Sequence, residues 1–119
     1  IIAASKDDQE IIDKIKKSEI SKNCISLENL SIQEILPIIK NCDLYTGNDT
    51  SFMHISSALG IKCIGIFVDS PAYSYSGYSD KIEAIVPEGE TVESTTHDTL
   101  GKDRISFDEV FRKAKIYLD

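Results

Sequence analysis

Apolar and polar positions along this chain alternate between short runs of strand type and stretches with helical period. Residues 1–4 (Ile-Ile-Ala-Ala) read as a strand stub. Ser5 and Asp8 then make an S-x-x-D capping signal, and Ile11, Ile12 and Ile15 give one apolar helix face. Cys24-Ile25-Ser26-Leu27 predicts a second short strand. The capping box Ser31-x-x-Glu34 opens a helix with Ile32, Ile35, Leu36 and Ile39 on one stripe. Pro37 removes one backbone bond there, so a kink is expected. Residues 43–46 read as strand, Gly47-Asn48-Asp49 as a turn, and residues 50–59 as a helix closed by Gly60. The continuous run Cys63-Ile64-Gly65-Ile66-Phe67 fits a central parallel strand. A loop rich in Tyr and Ser follows at 69–79, then a short strand at 82–86 and a polar, irregular stretch at 87–104. Ser106-x-x-Glu109 starts the last helix, with Phe107, Val110, Phe111, Ala114 and Leu118 expected to face inward. This order predicts an α/β fold, a Rossmann-like wound parallel sheet whose strands include residues 1–4, 24–26, 43–46 and 63–67.

The 119 residues suffice for one domain spanning 1–119. No apolar run approaches the length of a membrane span. Thirteen basic against twenty acidic residues give a net charge of −7, which argues against a nucleic-acid partner. Cys24, Cys42 and Cys63 are odd in number and lack C-x-x-C spacing, so three buried reduced thiols are expected, with neither disulfide nor zinc. The chain opens on an apolar run without Met, as expected of a piece of something longer.

In wound sheets, ligands bind beyond the carboxyl ends of the strands. Thr46-Gly47-Asn48-Asp49-Thr50-Ser51 sits at such a strand-to-helix junction. Unpaired N–H groups and the helix dipole there favour a phosphate. Asp49, itself an anion, suits holding the turn through backbone N–H groups; equally, Asp49 and Thr50 suit simple helix capping. His54 lies one turn beyond Thr50 and either donates to a phosphate or sugar or packs as an ordinary core residue. Tyr73, Tyr75 and Tyr78 stack on a base or cover the sheet edge. His97 reads as surface. A carboxylate in the segment Ser5–Asp8, after the first strand stub, suits ribose hydroxyls. No residue makes a convincing catalytic base.

Residues 43–60, with Asp49-Thr50-Ser51-Phe52-Met53-His54 at their centre, resemble the D-[ST]-G-x-x-H-L-x-x-A-L-G signature of glycosyltransferase family 9, the ADP-heptose:lipopolysaccharide heptosyltransferases. The resemblance extends over residues 1–71. It implies the C-terminal, donor-binding half of a GT-B architecture, in an inverting glycosyltransferase of lipopolysaccharide or surface-glycan synthesis. Thr50 and Ser51 would hold the donor pyrophosphate, Asp49 would shape the loop, and His54 would sit near the phosphates or the sugar. Leu30 would meet the base through its backbone, and Asp8 would take the ribose. It also implies no metal cofactor, a nucleotide-sugar donor, and a glycan or lipid-linked acceptor held by an N-terminal domain. The implied location is cytoplasmic, in peripheral contact with the inner membrane. The family's phosphate-binding lysine and catalytic acid fall outside this chain. Two departures stand out: Ser51 replaces the motif glycine, and Phe67-Val68-Asp69-Ser70-Pro71 replaces F-G-P-T-x-P. The competing readings are a non-catalytic Rossmann-like interaction module and another GT-B-type enzyme, such as a sugar-nucleotide epimerase.

Overall fold

A computed structural model describes the backbone of residues 1–119 and every side chain but that of Lys6. The chain divides into two compact units, Ile1–Ile38 and Ile39–Asp119.

The first unit holds a 3-10 turn (Lys6–Asp8), helix α1 (Gln9–Lys16), a 3-10 segment (Glu19–Asn23) and most of helix α2 (Ile32–Lys40). Of the two predicted N-terminal signals, Ser31–Glu34 caps its helix, whereas Ser5–Asp8 closes the 3-10 turn and α1 starts after Asp8, which makes no side-chain cap bond. The Asp8 carboxylate accepts from the Ser5 N–H and hydroxyl at 3.1 and 2.8 Å. Glu34 accepts from the Ser31 N–H at 2.8 Å while Ser31 Oγ accepts from the Glu34 N–H at 3.3 Å, closing a reciprocal capping box. The α2 helix runs through Pro37 to Lys40. The two expected strands at 1–4 and 24–26 do not form. They reduce to one parallel bridge, Ile2 to Ser26, held by Ile2 N–H to Ile25 O and Leu27 N–H to Ile2 O. The 3-10 segment ends at Asn23 and a turn begins at Glu28, so the apolar run between them has room for a single rung. Ile12, Leu27 and Ile35 are buried, whereas Ile11 and Ile32 are exposed.

In the second unit, β1 (Leu44–Asn48), β2 (Lys62–Ile66) and β3 (Ile82–Ile85) form an all-parallel sheet in that spatial order. The fold class is therefore α/β with a parallel sheet, as the patterning predicts. Helix α3 (Ser51–Ala58) joins β1 to β2 and packs on both. It ends at Gly60, whose φ of +86° supplies the left-handed residue expected there. The predicted turn at 47–49 begins later, because Gly47 and Asn48 pair in register with Gly65 and Ile66 and so continue the strand. Met53, Cys63, Phe67, Ala72 and Ile82 form the core. A Cβ on Gly65 would lie 2.5 Å from Met53 Sδ and 3.0 Å from the Phe67 ring, so this glycine lets α3 approach the central strand. Of the cysteines only Cys63 is buried, its thiol pushed up to about 11 by desolvation; Cys24 and Cys42 are half-buried, not buried as expected. All three are free thiols.

The Tyr/Ser segment contains helix α4 (Ala72–Ser76), which was not predicted. Thr95 Oγ1 accepts from the Ala72 N–H at 2.9 Å and Val92 O accepts from the Tyr73 N–H at 3.1 Å, so the polar stretch is folded onto α4. Helix α5 (Phe107–Leu118) starts at Ser106, whose Oγ accepts from the Glu109 N–H. Its expected inward face is wrong in part: Phe107, Phe111 and Leu118 are exposed, and Val110 and Ala114 are half-buried. Polar contacts replace apolar ones. Glu83 on β3 accepts from Lys113 Nζ and, at 2.5 Å, from the Tyr117 hydroxyl, while Lys62 Nζ sits 4.9 Å above the Tyr117 ring.

The Lys113 and Tyr117 hydrogen bonds hold the Glu83 carboxyl below the ordinary glutamate range. A depressed folded value means that the stabilisation is present above the unfolded pKa and is lost as pH falls through the folded one. We therefore expect Glu83→Gln to be less stable than the parent at neutral pH. Its melting temperature should fall less steeply between about pH 5 and pH 3. Parallel melting curves across that range would disprove the contribution.

Candidate functional site

The carboxyl ends of β1 and β2 border an open cleft of about 470 Å³. Asn48, Asp49 and Thr50 line it from the end of β1, Ile66, Val68, Asp69 and Ser70 from the end of β2, and His97 from the long polar segment. His97, read from sequence as surface, is exposed but belongs to this wall. Asp69 and Ser70 open the 69–79 loop, which follows a strand at the ligand-binding end of the sheet as the sequence suggests.

Local chemistry explains the shape of the first wall. Tyr45 and Gly47 share one face of β1, and the absence of a Cβ at Gly47 lets the Tyr45 ring lie over it. The Tyr45 hydroxyl thereby reaches Asn48 O at 2.9 Å and Thr50 Oγ1 at 3.3 Å. Burial is the first cause of a raised Tyr45 phenol, so it remains a donor at neutral pH. Asp49 N–H donates to Ile66 O at 3.3 Å, tying the turn to the neighbouring strand. Thr50 is the residue before the helix, with extended φ and ψ of −136° and 170°, and its side chain makes no capping bond. Of the two sequence readings, side-chain capping by Thr50 is thus set aside. The first N–H groups of α3 have no intrahelical acceptor by construction, and they begin where Thr50 borders the cleft.

His54 is drawn into a chain of side chains. Its Nε2 lies 3.2 Å from Asp49 Oδ1 and its Nδ1 lies 2.6 Å from the Tyr78 hydroxyl, whose ring stacks on the imidazole. Asp49 thus spends its carboxylate on His54, where the sequence suggested backbone N–H groups. Asp49, Thr50, Ser51 and His54 are brought together around the start of α3. Asp8 and Leu30 belong to the first unit; Asp8 is engaged with Ser5, and Leu30 is exposed at the turn preceding α2. Among the described residues, no three His, Cys, Asp or Glu side chains gather as a metal site. No described helix is long and apolar enough to cross a membrane.

By its local pattern Tyr45 reads as a strand residue only. A tyrosine two residues before a glycine at a strand end is the one available signal.

Residues 1–102 match the glycosyltransferase family 9 (heptosyltransferase) family. The chain is also 30% identical over 87 residues to lipopolysaccharide heptosyltransferase 1 of Campylobacter coli, an alignment covering 68% of this chain and 25% of that protein. The chain thus spans about a quarter of the length of the curated relative it matches. No solved structure matches it. With a family match over most of its length, the chain belongs to glycosyltransferase family 9.

Proposed function

We propose that this chain is the donor-binding part of an inverting glycosyltransferase of lipopolysaccharide synthesis, acting on a nucleotide sugar of the ADP-heptose kind. The observation that carries the reading is the cleft at the ends of β1 and β2, with the start of α3 at its edge. N–H groups of Thr50 and Ser51 and the Thr50 hydroxyl would hold the diphosphate, with the helix dipole adding to them. Asp49 and His54 shape that loop from within. Asp8 would take the ribose and Leu30 the base, roles that rest on the family resemblance. In the reaction, an acceptor hydroxyl on a glycan or lipid-linked saccharide attacks the anomeric carbon with inversion. Its proton goes to a base supplied from outside these residues. The leaving nucleoside diphosphate is stabilised by donors already fixed in place. The reading requires no metal and places the enzyme at the cytoplasmic face of the inner membrane.

Thermal unfolding tests it. ADP at about 100 times its dissociation constant should add about 2.7 kcal/mol of stability, a rise of several degrees in melting temperature. Adenosine should give no comparable shift, because the diphosphate makes the specific contact. Equal shifts from both would move the site to the base, and no shift from ADP would reject the nucleotide reading.

A further inference from the structure

We propose that Tyr78 is a positioning residue whose hydroxyl holds His54 in the tautomer that directs its Nε2 proton at the Asp49 carboxylate. A carboxylate only accepts, so the 3.2 Å contact between Asp49 Oδ1 and His54 Nε2 requires the hydrogen to be on Nε2. A neutral imidazole then carries a lone pair on Nδ1, and the Tyr78 hydroxyl, 2.6 Å away, donates to it. Tyr78 suits that role: desolvation first, then the nearby Cys63 thiol and Asp49 carboxylate, hold its phenol above the ordinary tyrosine range. The ring, 61% exposed, stacks on the imidazole and fixes its plane.

The consequence lies at the cleft. Asp49 lines it beside Thr50, where a bare carboxylate would repel an anionic ligand. The Nε2–H of His54 offsets that charge from behind. Both ring nitrogens are used inside the protein, so His54 acts through Asp49 and not by donating into the cleft. Tyr78 comes from the turn after α4, outside the D-T-S-x-x-H stretch, and α4 itself is anchored through Ala72 and Tyr73 to residues 92–95. Part of the loop's electrostatics therefore depends on a segment some twenty-five residues further along the chain.

The functional arm of this inference rests on the diphosphate reading, whereas the tautomer arm does not. Nitrogen-15 spectra of the chain should show His54 with Nε2 protonated and Nδ1 accepting a hydrogen bond. In Tyr78→Phe, the Nδ1 resonance should move to the position of an unbonded ring nitrogen, and the Nε2 proton should exchange faster with water. His97 serves as the internal control and should not move. A wild-type His54 protonated on Nδ1, or His54 resonances unchanged by Tyr78→Phe, would overturn the proposal. ADP affinity should fall several-fold in Tyr78→Phe and stay at the parent value in Tyr73→Phe. Wild-type binding with no loss in Tyr78→Phe would overturn the positioning role. A wild type that fails to bind ADP would reject the diphosphate reading and, with it, the functional arm, leaving the tautomer assignment to be decided by the spectra.

Discussion

Replacing Gly101 by alanine should cost about 3 kcal/mol, at the upper end of the range for overpacking a filled interior. A Cβ at this buried position would fall 1.9 Å from Pro87 Cγ, 2.5 Å from its Cβ and 3.0 Å from Val68 O. The proline ring is fully buried and cannot swing aside as a long side chain would, so backbone must move. The Gly101 N–H donates to Val68 O at 2.7 Å, and Val68 begins the wall of the cleft that continues into Asp69 and Ser70. The neighbouring Leu100 already sits at a φ of +48°, a strained conformation for leucine, so this corner has little slack. For a chain of this size the loss corresponds to a drop in melting temperature on the order of 10 °C. Gly60→Ala, where φ is positive but the space is open, should cost less. Equal stability of parent and Gly101→Ala in a thermal melt would show that the Pro87 contact is relieved cheaply.

Ser51→Pro should leave the fold standing while lowering affinity for ADP about 10- to 100-fold. Ser51 is the first residue of α3, the one helical position where proline is favoured. Thr50 before it is extended, as a residue preceding proline must be. The substitution thus deletes the N–H donor next to Thr50, which borders the cleft, and disturbs little else. A hydrogen bond to a charged group contributes about 1.5–3 kcal/mol, and each 1.4 kcal/mol is tenfold in affinity. Thr50→Pro is the poorer test, because φ at Thr50 is −136° and proline requires about −65°. Calorimetry decides the matter: unchanged ADP affinity in a folded Ser51→Pro protein would remove this N–H from the site.

Local signals in the sequence were sufficient wherever the chemistry is local. Ser31 with Glu34 and Ser106 with Glu109 mark helix starts because their side chains bond groups three residues away. Gly60 marks a helix end because its own φ is positive. The apolar run at 63–67 marks the central strand, because a strand covered on both faces needs no alternation. The Asp49-to-His54 stretch, with its strand before and helix after, was legible for the same reason.

What failed in the sequence depended on partners far along the chain. Residues 1–4 and 24–26 have strand-like composition, yet the elements flanking the second run leave one bridge between them. Phe107 and Phe111 look like core at helical spacing, but α5 is held at its other face by Glu83, thirty residues earlier than Lys113. The placing of His97 on the cleft, and of Tyr78 on His54, likewise has no local signature. Periodicity states which face of an element is apolar; only the packing of distant elements states which face is covered and which polar atoms meet.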